Sequence, residues 1–433
     1  MWMPSRNFGM RFPYGLCLAV LSISLVGVIN LASASRVTRP HLPLVQLLWL
    51  AIGFICLVAV SSISLRTLRI IAYPLYIFST MLLLLVLIVG SAVKGAQRWL
   101  DLGFFNLQPS EIAKISMILA MARYCADCPA QFGYRLIDIL RPMNITRPIG
   151  VFAGLIFALI TKYELITQSP HKVFFNISIG VLFLVTLIWF IVAAYQLTTK
   201  GLTFEKIVAP IDVLALPVLL VLIEPDLGTS SLVLAAGASI ILFAGVRKMS
   251  LLIATVLALI LAVGAWQFVL EDYQKRRVET FLNPDIDVRG QGYHAAQSMI
   301  AIGSGQITGK GSLSGTQTQL SFLPENSTDF VFSVLAEEWG FLGALFLLLL
   351  YFILIFVMLR IAEKANDPFA RLIAAGAVVM VFSHVAVNIG MVTGVLPVVG
   401  VTLPFMSYGG SSLIVQMIAI GFCANAAIWR RTS

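Results

Sequence analysis

The sequence predicts an all-α polytopic membrane protein of twelve spans, and three observations carry that prediction. Hydrophobic residues make up 59% of the 433, and the mean hydropathy of +0.95 has no counterpart in a soluble chain of this length. The apolar residues gather into runs of about 20, the length one bilayer crossing needs. Lys and Arg collect in alternate connections, the asymmetry that orients spans across a membrane.

The runs cover 14–34, 43–61, 70–91, 109–124, 148–166, 173–197, 207–223, 229–246, 249–270, 330–360, 369–392 and 405–428. The fourth is short and holds two charges. Arg6 and Arg11 precede the first run, which is long and lacks a small-residue cleavage site, so it is read as a span and not as a removed signal peptide. With the N-terminus inside, the inner connections receive Arg66, Arg69, Arg123, Arg135, Arg141, Arg147, Lys200, Lys206, Arg247, Lys248, Arg360, Lys364, Arg371, Arg430 and Arg431. An even span count then puts both termini in the cytoplasm and the long connection 271–330 outside. Topology accounts for the net charge of +9, so no nucleic-acid partner is inferred.

Polar stretches between the runs carry the chemistry. The third run ends in Lys94-Gly-Ala-Gln97-Arg98-Trp99, expected outside. An interfacial anchor explains these residues, and so does an anionic ligand such as a phosphate, whose oxygens Arg grips with forked bonds. Gln108-Pro109-Ser110-Glu111 opens the fourth run. Lys114 lies three residues after Glu111 on the same helix face, where the two can pair and line a polar interior. Cys125 and Cys128 form a C-x-x-C without the second ligand pair a zinc site needs, so no metal is assigned. Residues 125–206 hold two spans, and an even insertion leaves everything downstream on its original side. Glu224-Pro-Asp226-Leu-Gly-Thr229 reads as a turn with a capping Thr.

Residues 271–330 are the longest polar interval and concentrate the acids, including Asp285, Asp287 and Asp329, with Glu337 and Glu338 just beyond. Phe281, Tyr293, Met299 and Phe322 argue against disorder, and a loop of this length is read as functional. Gly303-Ser-Gly305 through Gly309-Lys310-Gly311 mimics a phosphate-binding loop, but its spacing fails, and its glycines are expected to let backbone approach a bulky ligand. From Asn388 to Ser412, Pro397, Pro404 and several glycines interrupt an apolar run. Such broken backbone at membrane depth marks a buried or cavity-lining segment.

Asn388-x5-Gly394-Val-x-Pro397-Val-x-Gly400, followed by Phe405-Met-Ser407-Tyr408-Gly-Gly-Ser411-Ser412, resembles the signature of the shape, elongation, division and sporulation (SEDS) family. Lys94 to Leu100, Gln108-Pro-Ser-Glu, Pro225-Asp-Leu-Gly-Thr, and Leu323-Pro-Glu with Thr328-Asp-Phe are similar to it too, so the likeness spans the chain except 125–206. Gly315-Thr-Gln-Thr-Gln-Leu looks like the elongation branch. The resemblance implies a helical bundle of ten core spans, here with two inserted, forming a single integral membrane domain over 1–433 whose catalytic loop is 271–330.

It also implies a peptidoglycan glycosyltransferase of the bacterial inner membrane, polymerising lipid II during cell-wall elongation beside a class B penicillin-binding protein and other elongation-complex membrane proteins. The family's essential acid, a few residues after an Asn-Pro, falls on Asp287. Val288 stands where the family often has Pro, which leaves Asp285 in contention, and Ser327 stands where it often has His. The acid would act as general base on the acceptor hydroxyl while cations at Lys94, Arg98 and Lys310 offset the departing diphosphate. Gln97, Glu111, Lys114, Asp329, Glu337, Tyr408 and Ser411 complete the expected substrate-binding set. No cofactor is assigned, though a divalent cation (Mg or Mn) could share the charge. A transporter of the lipid-linked precursor, using buried acids such as Glu111, Glu337 and Glu338, is the rival class, and a non-catalytic scaffold is a third.

Overall fold

The computed structural model describes residues 13–37, 39–93, 96–101, 106–129, 133–140, 209–224, 226–268, 275, 278–281, 291–320, 322–323 and 325–429. In chain order its helices are α1 (Tyr14–Ala34), α2 (Leu42–Ser62), α3 (Leu65–Val89), α4 (Pro109–Asp127), α5 (Leu136–Leu140), α6 (Pro210–Ile223), α7 (Leu227–Ala244) and α8 (Lys248–Phe268). They continue with α9 (Gln291–Ser304), α10 (Thr316–Gln319), α11 (Val331–Lys364), α12 (Pro368–Val392) and α13 (Gly410–Ile428). Ten of the expected runs appear as helices in place, and the runs 148–166 and 173–197 lie outside the described residues. Among the described residues, α1, α2, α3, α7, α11, α12 and α13 are long and apolar enough to cross a membrane, and α6 is a shorter apolar helix. The chain is therefore a multi-pass membrane protein.

Proline and aspartate set several starts. Pro109, Pro210 and Pro368 each open a helix, where the missing N–H costs nothing because no intrahelical acceptor exists there. Asp367 caps α12 by accepting from Ala370 N at 3.0 Å. The all-helical expectation misses one feature. Residues 91–107 form a small antiparallel sheet of β1 (Ser91–Val93), β2 (Ala96–Asp101) and β3 (Asn106–Leu107).

The chain folds as two compact units, Arg66–Glu271 and a discontinuous one made of Met1–Leu65 with Asp272–Ser433. In the continuous unit, Leu83, Leu84 and Leu87 of α3 pack with Ala113 of α4 and Leu216, Leu220 and Val221 of α6. Lipid offers apolar side chains the same company as another helix does, so polar contacts help choose partners. Ser79 and Ser116 join α3 to α4 at 2.5 Å, and Tyr76 donates to the Val213 carbonyl of α6 at 3.1 Å.

In the discontinuous unit, α2 and α13 run side by side in the same direction. Trp49 lies under Gly410, Met417 over Gly53, and Val60 against Gly421. Small residues let the two backbones approach, as in other membrane helix pairs. Asn425 of α13 closes the far end by donating to the carbonyls of Val60, Ser61 and Ile63 at 3.0, 3.3 and 2.6 Å. Val60 O also accepts from Ile63 N at 3.3 Å, and the amide adds a cap from another span to carbonyls at this helix end.

The run at 330–360 is not one straight span. Gly340 (φ 68°, ψ −164°) breaks α11 into a short buried arm, 331–339, and a long apolar limb, 341–364. A broken helix exposes carbonyls on one side and N–H groups on the other, and here residues 306–311 take both sets. Lys310 N and Gly311 N donate to the carbonyls of Glu337 and Glu338 at 3.1 and 3.0 Å, while Phe341 N and Leu342 N donate to the carbonyls of Gln306 and Ile307 at 2.8 and 3.1 Å. The loop works as a backbone clasp across the break.

Candidate active site

The clasp corrects the expectation for the glycine-rich stretch. A Cβ on Gly305 would strike the Ala336 carbonyl and one on Gly309 the Glu338 carbonyl, so these glycines admit the arm of α11 and not a ligand. Side chains tighten the same contact. The fully buried Glu337 carboxylate accepts from Lys310 Nζ at 2.9 Å, Thr316 Oγ1 at 3.2 Å, Gln317 N at 2.9 Å, and Thr318 N and Oγ1 at 3.3 and 3.0 Å. Lys310 Nζ also donates to Thr316 Oγ1 at 2.8 Å. Glu338, next along the arm, accepts from Ser33 Oγ of α1. The expected substrate residues Lys310 and Glu337 are thus brought onto each other.

The broken segment 393–409 lies against the residues just before that arm. Asn388 Nδ2 donates to the Asp329 carbonyl at 2.9 Å and the Val401 carbonyl at 2.6 Å, pinning the segment to the chain just before α11. Ser407 Oγ donates to the Thr328 carbonyl at 2.5 Å and accepts from Leu403 N at 2.8 Å, while Tyr408 N donates to the Ser327 carbonyl at 2.9 Å. Left-handed backbone at Gly394 (φ 73°), Gly400 (φ 71°) and Phe405 (φ 64°) produces the turns. Asp329 is half-buried, and a Cβ on Gly400 would stand 3.4 Å from its Oδ2. Tyr408 and Ser411 are half-buried at the entry and first turn of α13. Asp329 and Tyr408 therefore belong to one strapped assembly.

Sequence reasoning missed Asn30, Gln46 and Asn425. Asn30 donates to the Val331 carbonyl at 2.8 Å and Gln46 to the Ser407 carbonyl at 3.1 Å. Each is a lone amide in an apolar run, and that cost was the available signal.

The continuous unit holds the other expected residues. Lys114 Nζ meets Glu111 Oε1 at 2.8 Å with both side chains buried, as their spacing predicts. Pro109 is the first residue of α4 and Gln108 its N-cap. Arg98 on β2 lies 3.6 Å from Asp226 Oδ2 and donates from Nε to the Glu224 carbonyl at 3.4 Å. Asp226, and not Thr229, is the cap of α7, accepting from Thr229 N at 3.0 Å and Thr229 Oγ1 at 2.9 Å. Neither carboxylate oxygen of Glu224 has a hydrogen-bond partner among the described residues. Burial and the neighbouring Asp226 push its pKa well above the usual range, and Arg98 only partly opposes them. Gln97 pairs with Ala92 in the sheet.

Lys94, Asp285 and Asp287 lie outside the described residues. Among the described residues no group of three His, Cys, Asp or Glu is placed to hold a metal ion.

A helical multi-pass membrane protein with a long clasped loop and a strapped, broken segment is the class that fold and site define. The FtsW/RodA/SpoVE family model, described as cell cycle protein, matches residues 13–204 and 177–432, and the chain belongs to that family. The two matched stretches overlap within the expected insertion. Peptidoglycan glycosyltransferase MrdB of Escherichia coli K12 is 39% identical over 382 residues, covering 88% of this chain and 84% of that one. Peptidoglycan glycosyltransferase RodA of Treponema pallidum is 32% identical over 427 residues, covering 95% and 96%. A chain in a solved peptidoglycan synthase complex, described as coordinating polymerization and crosslinking, superposes with a TM-score of 0.69 at 29% identity, covering 98% and 99%. The rod shape determining protein RodA of Thermus thermophilus gives 0.60 at 26% identity over 98% of each chain.

Proposed function

We infer that this protein is a peptidoglycan glycosyltransferase of the elongation branch, and the observation that carries it is the 39% identity to MrdB over 88% of the chain. Its substrate in this reading is lipid II. An acceptor sugar hydroxyl attacks the anomeric carbon of a second molecule, the bond to the lipid diphosphate breaks, and the hydroxyl proton passes to a carboxylate. Asp287 is the proposed base, on family resemblance, with Asp285 as its control. Arg98 is the proposed partner of the departing diphosphate. Its position against Asp226, with a quarter of the side chain exposed, suits a fixed guanidinium that can still be reached.

A class B penicillin-binding protein is the proposed partner, supported by the likeness to a chain in a polymerizing and crosslinking complex. The bacterial inner membrane, with both termini cytoplasmic and 271–330 outside, is the proposed setting. The transporter reading loses two of its proton carriers, because Glu111 is paired with Lys114 and Glu337 with Lys310.

Purified protein given lipid II alone tests the activity, since only a polymerase makes glycan chains from it. Asp287→Asn should lose about 10²–10⁴-fold in rate, the span general-base catalysis supplies. Loss in Asp285→Asn with activity kept in Asp287→Asn would move the base to Asp285. Full activity in both would remove the loop acids from the mechanism.

A further inference from the structure

We propose that Glu337 is a positioning residue for the transfer reaction, and that Lys310 belongs to its knot and not to the diphosphate. The proposal rests on the function inferred above and deepens it.

The carboxylate has nothing left to offer a ligand. It is fully buried, and its five donors all come from residues 310–318. A Cβ on Gly315 would stand 2.8 Å from Glu337 Oε2, so the surrounding loop is moulded to this one side chain. Two of the three Lys310 ammonium donors go to Glu337 and Thr316. A lysine free to meet a diphosphate would need to abandon a buried charge, and leaving a buried carboxylate unpaired is costly.

What the knot holds is the segment 305–320, on the arm that also holds α9. The arm of α11 carries Glu337 at one end and Ser333 near the other. Ser298 of α9 donates to the Val392 carbonyl at 2.7 Å, so Ser333, 2.7 Å away, is the donor in the second bond. Thus α9 and the segment 305–320 are both tied to one rigid arm. Asp287 precedes Gln291, the first residue of α9, by four positions, a reach of at most about 14 Å for an extended chain. Loosening the knot should therefore misplace the base without touching the substrate.

Four variants test this on lipid II: Glu337→Gln, Lys310→Met, Lys310→Arg and the double Glu337→Gln/Lys310→Met. Glu337→Gln is expected to lower kcat about 10²-fold, the scale of a 1 Å misplacement, with KM nearly unchanged. Lys310→Met should fall in the same sense, Lys310→Arg should recover most of the rate, and the double should be no worse than Glu337→Gln alone. A raised KM at constant kcat in Lys310→Met, or losses that multiply in the double, would put Lys310 on the substrate and overturn the proposal.

Spin labels at the exposed Leu320 and Val395 give a readout independent of activity. Their distance distribution should be narrow in the parent and broad in Glu337→Gln, and an unchanged distribution would overturn the knot. If the parent makes no glycan at all, the function fails while this measurement still judges the knot. Should Glu337→Gln not fold, Thr318→Val removes a single side-chain donor. A smaller kcat loss at constant KM supports the proposal, and a KM effect or no effect refutes it.

Discussion

Gly309 and Gly340 meet backbone to backbone: a Cβ on Gly309 would lie 2.7 Å from Gly340 N, and a Cβ on Gly340 would strike Gly309 N in return. Both residues have positive φ, 80° and 68°. The clasp across the break in α11 exists only because neither position carries a side chain.

Gly309→Ala and Gly340→Ala should each destabilise the protein. Left-handed strain of about 1–2 kcal/mol adds to an overpacking cost of about 1–3 kcal/mol. Gly303→Ala is the control, since its Cβ would meet nothing within 4 Å inside α9. It should be neutral or stabilising by about 0.4–1 kcal/mol, and thermal unfolding in detergent compares the three.

Asp226 has two duties that one substitution can separate. Asn is as good an N-cap as Asp, so Asp226→Asn should keep α7 intact while losing the charge that faces Arg98. Asp226→Ala should lose about 0.5–2 kcal/mol more through the cap. Unfolding of both variants, with salt titration, separates cap from ion pair: the parent should lose part of its advantage over Asp226→Asn as salt rises.

Glu224 gives the pH dependence a sign. Burial and Asp226 raise its pKa in the folded state, against the weaker opposing pull of Arg98. A raised pKa stabilises the fold below the unfolded value, and that contribution is lost as pH climbs toward the folded one. Glu224→Gln should therefore be more stable than the parent at neutral and alkaline pH, with the difference shrinking in acid. Melting temperatures of both across pH 4–9 check it, and a parent curve parallel to that of Glu224→Gln would contradict it.

Removing the cap that one span lends another should also show. Asn425→Ala removes the amide shared by the carbonyls of Val60, Ser61 and Ile63 and should cost about 1–3 kcal/mol. Asn425→Asp should be worse than Ala, because it aims a negative charge at the end of a helix whose dipole is already negative.

The spans were legible because each is decided by its own residues, and so was the pair Glu111–Lys114, three apart on one helix. The clasp was not. Gly309 and Gly340 are distant in sequence, and nothing local says which backbone lies against which. The same holds for Arg98 and Asp226, whose partnership reassigns a residue read as a loose phosphate ligand to a braced one. The strands of 91–107 are too short to register against an apolar run. The partner of Lys310 was hidden for a related reason: sequence shows a cation among glycines, and only packing shows the acid beside it.

The discontinuous unit imposes an order on biosynthesis. Its first two helices enter the membrane early, but α13, which packs along α2 and caps its end, begins only at Gly410. At about 5–20 residues per second, that leaves α1 and α2 waiting roughly 20–70 s for their last partner. Asn30 waits for Val331 and Gln46 for Ser407, while the carbonyls at the end of α2 wait longest, for Asn425. A nascent chain stalled before Gly410 should therefore hold α1 and α2 in the bilayer as clients for insertion chaperones, and release them once α13 arrives.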